Sequence, residues 1–473
     1  MFWTPDNVQK VTGGRWLKRP RENEFPSPVT GVETDGRHCG QGYVYVARRG
    51  EKLDGHDFLS QALGSGAQVL VVDDELKGKE FARGSASVLR VKDSTTALGA
   101  LAAAYRRSLR AKVIAVTGSV GKTTTKLLID AVLRTRLRGK VSPKSYNNIV
   151  GVPLTIFLAE PKDDYLVVEI GTNAPGEIAA LGKIAQPDIA VITHVGSAHL
   201  EGLGGIGGVL REKASLLSHL REGGVAIVNG DVEGLETYRR VAKLWVTFGH
   251  GEKCDLRMTS FEGGGEGVSF TVNGRWKLRV PLLGEHNAMN ALAAAAVGRH
   301  MNVPEKLIAQ GLASASGPAM RLAVERYGQG PQAIVVLNDC YNANPESMAA
   351  ALRVLRSFPT AGRRVAVLGD MAELGDKSPD LHRELGERVV ESGADLAILI
   401  GKLSMFTAET ISRHWSGERV HAILGWDDSV PEKVASLLEG GDTVLVKASR
   451  AAGFERLVAA IGGRFTTAGG PAR

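Results

Sequence analysis

The segment Val113-Ile-Ala-Val-Thr-Gly-Ser-Val-Gly-Lys-Thr-Thr-Thr125 leaves a β-branched apolar run and enters a helical pattern over Lys126–Arg134. Strand, glycine-rich turn and helix in that order are what a nucleotide's phosphates require. Gly118 and Gly121, with Ser119 and Val120 between them, let backbone N–H groups converge on phosphate oxygens. The helix start adds partial positive charge, Lys122 neutralises a transferring phosphoryl group, and the hydroxyl of Thr123, followed by Thr124, is placed to hold Mg2+. Val116 stands where the usual eight-residue pattern opens with glycine, so the loop has the variant form Thr-Gly-Ser-x-Gly-Lys-Thr.

Three further side chains downstream can join that chemistry. Glu169 closes the apolar run Tyr165-Leu-Val-Val-Glu-Ile170, where a carboxylate would face the loop mouth and ligate the same hard cation as Thr123. Its plainer reading is a salt bridge at a strand end. His199 follows another apolar run inside Thr193-His-Val-Gly-Ser-Ala-His-Leu-Glu-Gly202 and is a ligand candidate. A loop histidine is more often a hydrogen-bonded structural residue, and His194 competes for any role. Lys213, in Val209-Leu-Arg-Glu-Lys-Ala-Ser-Leu216, reads from its neighbours as part of a helix start whose Arg211 and Glu212 form an ordinary solvated face.

To stand together these residues need strands that end at one edge. Val113–Thr117, Tyr165–Ile170, Ile189–Thr193 and Val225–Asn229 read as buried parallel strands separated by helical patterns. That alternation implies a central doubly wound, mostly parallel sheet whose ligands bind beyond the carboxyl ends of its strands. The glycine-rich stretch Phe261–Pro281 reads as an antiparallel hairpin decorating this sheet. A second alternation, with strands Ala333–Leu337, Arg364–Leu368, Leu396–Ile400 and Thr443–Lys447 and a helix over Pro345–Phe358, is expected to form a Rossmann-like C-terminal α/β domain. The first hundred residues hold strands at Gly42–Val46 and Gln68–Val72, with turn signals at Asp54-Gly55 and Gly64-Ser65-Gly66, and read as a small N-terminal α/β domain. The expected domains are therefore 1–110, 111–317 and 318–473.

Length and charge agree with an enzyme of several domains. The 473 residues exceed the usual single domain about threefold. The formal net charge of +7, without a block of five like charges, fits small anionic substrates better than nucleic acid, although an ordinary basic surface would look the same. Cys39, Cys254 and Cys340 lie far apart with no Cys-x-x-Cys spacing, so neither a disulfide framework nor a zinc site is expected, and the compartment reads as reducing. Met1 to Gly14 has no signal-peptide pattern, and the apolar stretches Leu98–Tyr105 and Ala291–Val297 are too short to span a bilayer. A cytoplasmic protein without membrane insertion is expected.

The combination Thr117-Gly-Ser-Val-Gly-Lys-Thr-Thr124, Glu169-Ile-Gly171, Ser197-Ala-His-Leu-Glu-Gly202 and His286-Asn-Ala-Met-Asn290 resembles the Mur ligase superfamily. Asn147-Asn-Ile-Val-Gly-Val-Pro153, Asp339-Cys-Tyr-Asn-Ala-Asn-Pro345 and Val367-Leu-Gly-Asp-Met-Ala-Glu-Leu-Gly375 resemble the branch that joins D-alanyl-D-alanine to a UDP-N-acetylmuramoyl-tripeptide. The likeness also takes in Asp35-Gly-Arg37, Asp54-Gly-His-Asp-Phe58 and Val446-Lys-Ala-Ser-Arg450, and so covers almost the whole chain. It implies an N-terminal domain for the UDP sugar, a central ATP-binding domain and a C-terminal domain completing the site. ATP would phosphorylate the tripeptide's terminal carboxylate, and the dipeptide's amine would displace phosphate, yielding the pentapeptide precursor of peptidoglycan.

The resemblance further implies residue roles. Thr123 and Glu169 would hold one magnesium ion, and Glu169, His199 and Lys213 a second, with Lys213 carbamylated so that a cation becomes an anion. Asn287 and Asn290 would contact adenine, Arg321 and Asp339 would reach the nucleotide, and Asp35, Arg37, Asn147 and Asn148 would serve the UDP substrate. Three positions depart from the pattern: Gly36 for a hydroxyl residue, Ile149 for an acidic or amide residue, and Ala448 for glycine. They touch substrate detail and no magnesium or phosphate ligand. The rivals are a ligase adding the third amino acid, a folylpolyglutamate-type ligase, and a phosphate-loop switch that makes no amide bond. The Asp-Asn-Pro-Arg motif of a diaminopimelate-adding enzyme is absent, Asn342-Ala-Asn-Pro-Glu346 standing in its place.

Overall fold

The structure is a computed structural model that describes residues 2–21, 29–84, 86–197 and 200–467. The strand that carries the phosphate loop, Lys112–Thr117, lies between Ile189–Ile192 and Tyr165–Glu169 and runs parallel to both. Its side chains alternate between two hydrophobic cores, Ile114 and Val116 on one face and Val113 and Ala115 on the other, which is why the run is apolar throughout. The nine-stranded central sheet continues outward through Val225–Asn229, Leu244–Gly249 and Leu256–Gly264 on one side and Gly139–Val141 on the other. Leu256–Gly264, Gly267–Val272 and Trp276–Val280 form an antiparallel meander at the far edge, one strand more than the expected hairpin.

Chain order reverses around Lys112–Thr117: the chain fills Gly139–Val141 and Tyr165–Glu169 on one side before crossing to Ile189–Ile192 on the other. A crevice opens at such a switch point, at the carboxyl ends of the strands, where the phosphate loop lies. The helix that follows the loop spans Lys122–Leu133, starting four residues earlier than its sequence pattern suggests. Gly121, with a φ of 84°, ends the loop there, so Thr123, Thr124 and Thr125 fall in the first turns of the helix. The alanine-rich helix Glu285–His300 packs directly against it. Small residues permit that approach, and Gly298 abuts Val132 so closely that a Cβ would clash.

The C-terminal sheet has the order Ala323–Tyr327, Ile334–Asn338, Thr443–Lys447, Arg364–Gly369, Leu396–Ile400, Val420–Ile423, parallel except for its first strand. Helix Pro345–Ser357 begins with an Asn344 and Ser347 capping box, which fixes the loop that precedes it. The N-terminal sheet has five strands, Arg15–Lys18, Ser87–Arg90, Ala67–Val72, Tyr43–Val46 and Gly31–Glu33. The two expected strands are its centre, and the other three are short and carry charged residues, leaving no apolar run to read. Helix Ser94–Ser108 ties this sheet to the central domain: Phe2, Trp3, Tyr105 and Phe157 form one aromatic cluster, and fully buried Arg106 reaches Asp188 at 2.5 Å. Among the described residues no helix is long and apolar enough to cross a membrane.

Candidate active site

The phosphate loop is held open from both sides. Ser119 N donates to the His194 carbonyl at 2.8 Å, and Ser119 Oγ exchanges hydrogen bonds with Gly196, accepting from its N–H at 3.0 Å and donating to its carbonyl at 3.1 Å. Thr193 Oγ1 donates to the Val120 carbonyl at 2.6 Å. Gly118, at φ 153°, lies so close to the Thr193 hydroxyl that a Cβ would collide with it, and Gly121 abuts the Asn290 amide in the same way. Lys122 curls back over the loop, its ammonium 2.8 Å from the Gly118 carbonyl.

The loop faces a cavity of about 720 Å³. Ser119 to Thr124, Asn287 and Asn290 line one wall, and Arg321, Asp339, Lys447 and Arg450 from the C-terminal region line the other. Asn287 and Asn290 are buried on one helical face and bonded to each other, Asn290 Nδ2 donating to Asn287 Oδ1 at 3.0 Å. The Thr125 hydroxyl donates to Asn290 Oδ1 at 3.1 Å, which ties that helix to the loop helix. Asp339 is paired with Lys447 at 2.6 Å, and Arg321 lies over the Tyr341 ring, 4.2 Å from its centre. Sequence reasoning gave no role to Lys447 or Tyr341, although both lie inside motifs it quoted.

Beside the loop, Thr123 Oγ1 and Glu169 Oε2 are buried oxygen atoms without a hydrogen-bond partner among the described residues. The other Glu169 oxygen accepts from Asn147 Nδ2 at 2.9 Å, and Lys126 Nζ stands 3.0 Å from Oε2 as an ion-pair partner. Burial by itself would raise the Glu169 carboxyl, but Lys126, Lys122 and Asn147 together hold it below the usual carboxylate range. It is therefore an anion at neutral pH. A hydroxyl and a carboxylate oxygen, both buried and both with lone pairs to spare, fit a hard divalent cation such as Mg2+.

Lys213 corrects the sequence reading. It lies near the end of helix Ile206–Ala214, not at a helix start, and is 0 % exposed. Its neighbour Glu212 is buried as well, accepting from Gly176 N and Ile178 N at 2.8 Å each, where it caps the start of helix Glu177–Ala185. Only Arg211 faces water, because Glu212 meets the positive end of a neighbouring helix and Lys213 points inward. Among the described residues Lys213 Nζ has no hydrogen-bond partner, and burial, reinforced by Lys122, holds its pKa well below the usual lysine range. His199 lies outside the described residues. His194, the competing histidine, lines the cavity, and burial lowers its pKa.

The residues expected at the UDP substrate are distributed differently. Asp35 and Arg37 pair with each other at 2.6 Å in the N-terminal domain, away from the cavity lining. Asn147 serves Glu169 through its amide, and Asn148 Oδ1 caps helix Gly151–Phe157, accepting from Gly151 N at 2.9 Å. At Gly36 a Cβ would lie 3.1 Å from Ala62 N, so a hydroxyl residue there would crowd helix Leu59–Gly64.

Known proteins resemble the chain along most of its length. Residues 116–298 match the Mur ligase middle domain, residues 321–450 the Mur ligase glutamate ligase domain, and residues 28–106 the Mur ligase family catalytic domain. The UDP-N-acetylmuramoyl-tripeptide–D-alanyl-D-alanine ligase of Bacillus subtilis is 36 % identical over 457 residues, covering 96 % of this chain and 97 % of that protein. The chain belongs to the Mur ligase family. Among solved Mur ligases, MurF from Acinetobacter baumannii superposes with a TM-score of 0.85 at 31 % identity, covering 98 % of this chain and 99 % of that one. MurF ligase from Thermotoga maritima, solved in complex with ADP, gives 0.79 at 29 % identity over 93 % of this chain and 99 % of that one.

Proposed function

We propose that this Mur ligase is an ATP-dependent carboxylate–amine ligase that adds D-alanyl-D-alanine to a UDP-N-acetylmuramoyl-tripeptide, forming the UDP-linked pentapeptide used in peptidoglycan synthesis. The observation that carries the proposal is the phosphate loop opening into a cavity walled by both the central and the C-terminal domains, in a chain that a ligase relative matches over 96 % of its length. A carboxylate is a poor electrophile. Transfer of the terminal phosphoryl group of ATP to one of its oxygens supplies a leaving group, and the dipeptide amine then forms the C–N bond as phosphate departs.

The chain's own residues divide that work. Backbone N–H groups of Ser119 to Thr124 cradle the phosphates, and Lys122 swings from the Gly118 carbonyl to the transferring phosphoryl group. Asn287 and Asn290 take the adenine, and Arg321 and Asp339 bring the C-terminal domain to the nucleotide. Thr123 and Glu169 would hold one magnesium ion, and Glu169, His199 and Lys213 a second. Bound there, magnesium stabilises the negative charge that develops as the phosphoryl group moves. Lys213 Nζ, buried, without a hydrogen-bond partner among the described residues and with its pKa held well below the usual lysine range by burial, is suited to carbamylation: in its neutral form the nitrogen adds to carbon dioxide and loses a proton, giving an anion suited to a cation. Asp35, Arg37, Asn147 and Asn148 are assigned to the UDP substrate, within domains of residues 1–110, 111–317 and 318–473. The reaction is placed in the cytoplasm, in line with three free cysteines among the described residues.

Phosphate release from ATP and Mg2+ with a UDP-N-acetylmuramoyl-tripeptide, measured with and without D-alanyl-D-alanine and followed by mass, tests the proposal. Phosphate and a product heavier by the dipeptide must rise together only when all substrates are present. Phosphate without the dipeptide would favour an ATP-driven switch, and a product with a different amine would favour another ligase of the family.

A further inference from the structure

Lys126 is 1 % exposed and was not singled out by its sequence, yet its ammonium joins three elements around the cation site. It stands 3.0 Å from Glu169 Oε2, donates to Ser142 Oγ at 3.1 Å just beyond strand Gly139–Val141, and donates to the carbonyl of Lys144. The same loop then supplies Asn147 to the other Glu169 oxygen. Both atoms of the carboxylate are thus gripped, one by a cation and one by an amide. A buried ion pair of this kind gives orientation more than stability, because desolvation of the two charges offsets most of their attraction.

The balance of charge is unusual for a cation site. Lys122 and Lys126 both act on Glu169; burial lowers the pKa of both lysines, Glu169 raises it, and Arg321 adds a smaller repulsion. Lys213 adds negative charge only once carbamylated, so before that step Glu169 is the carboxylate that opposes these lysines. We infer that Lys126 is a positioning residue that neutralises Glu169 in the free enzyme, so that a divalent cation enters the site with the triphosphate and not ahead of it. The polyphosphate supplies the negative charge the protein withholds, and the excess of lysine and arginine attracts the nucleotide first. This inference rests on the ligase reading above and names the group that sets its order of binding.

The test uses Mn2+ alone as the probe, titrated into the full chain in bicarbonate-free buffer without nucleotide and read from the electron paramagnetic resonance of the free ion. Wild type is expected to show no site tighter than about 1 mM, a weak affinity for oxygen ligands. Lys126→Met and Lys126→Gln are expected to bind Mn2+ at least about tenfold tighter, because one positive charge within a few ångströms of the ion is gone. Adding Glu169→Gln to either must erase the gain. A merely structural lysine would give no increase in affinity on removal. The inference is overturned if wild type binds free Mn2+ in the micromolar range, a result that needs no variant to fold, or if folded variants bind no tighter than wild type. The ligase reading fails separately, if wild type makes no dipeptide-extended product.

Discussion

Thr123→Val separates a group kept for function from one kept for the fold. Thr123 is 6 % exposed and its hydroxyl has no partner among the described residues. A buried hydroxyl left unsatisfied costs about 1–3 kcal/mol, whereas a methyl of the same shape in its place costs almost nothing. Valine keeps the β-branch and the volume, so the central domain should be unchanged or more stable by about 1 kcal/mol, a rise of about 2–4 °C in its melting transition. Catalysis should move the other way. Loss of one oxygen ligand beside the transferring phosphoryl group should lower kcat/KM by about 10²-fold, equivalent to about 2.7 kcal/mol. Calorimetry gives the first number and a continuous phosphate assay at several Mg2+ concentrations the second, with Thr123→Ser, which keeps the hydroxyl, retaining most activity. A variant that melts several degrees lower while keeping wild-type kcat/KM would refute the reasoning, since the hydroxyl would then belong to the fold.

Other consequences concern stability and reactivity. Asp188→Asn removes the anion that Arg106 Nη2 meets at 2.5 Å, leaving a fully buried guanidinium with neutral acceptors, among them the carbonyls of Ala185 and Gln186, and no counter-charge; a loss of about 3 kcal/mol is expected in denaturant unfolding, and a loss below 1 kcal/mol would argue against it. Burial, with Lys447 and Arg353 adding to it, pushes the His286 pKa from 6.5 down to about 4. The folded state therefore favours the neutral ring, and its contribution is complete above pH 6.5 and lost as pH falls towards 4. His286→Gln should flatten that part of the stability–pH curve by about 2–3 kcal/mol relative to wild type, and parallel curves for the two proteins would contradict the assignment. Burial pushes the Cys39 thiol up to about 12 and Cys340 up to about 11, and raises Cys254 too; iodoacetamide at pH 7.5 should label the native protein slowly, and rapid labelling of one cysteine would locate a thiolate where none is expected.

Much of the molecule was legible before any coordinate. Local chemistry specified the phosphate loop, because glycines, lysine and threonine at fixed spacing between a strand and a helix have few other uses. Continuous apolar runs such as Tyr165–Glu169 and Leu396–Ile400 declared themselves as buried parallel strands, since both faces of such a strand meet a core. Short edge strands such as Gly31–Glu33 did not, for they pair by backbone and carry little apolar pattern.

What the sequence left open is where long side chains point. Lys213 occurs in a stretch that looks solvated and Lys126 drew no reading of its own, since nothing local distinguishes a lysine on the outer face of a helix from one turned into a site. That choice belongs to the packing of distant elements, Ser142 and Glu169 around Lys126 and the start of helix Glu177–Ala185 around Glu212. In the same way Asn147 was assigned to a substrate by its motif, while tertiary structure joins its amide to Glu169. Motif spacing along one strand–loop–helix unit is set by covalent geometry and can be read. The pairing of a charge with its counter-charge across the sheet is set by which elements the core brings together, and only the folded chain decides it.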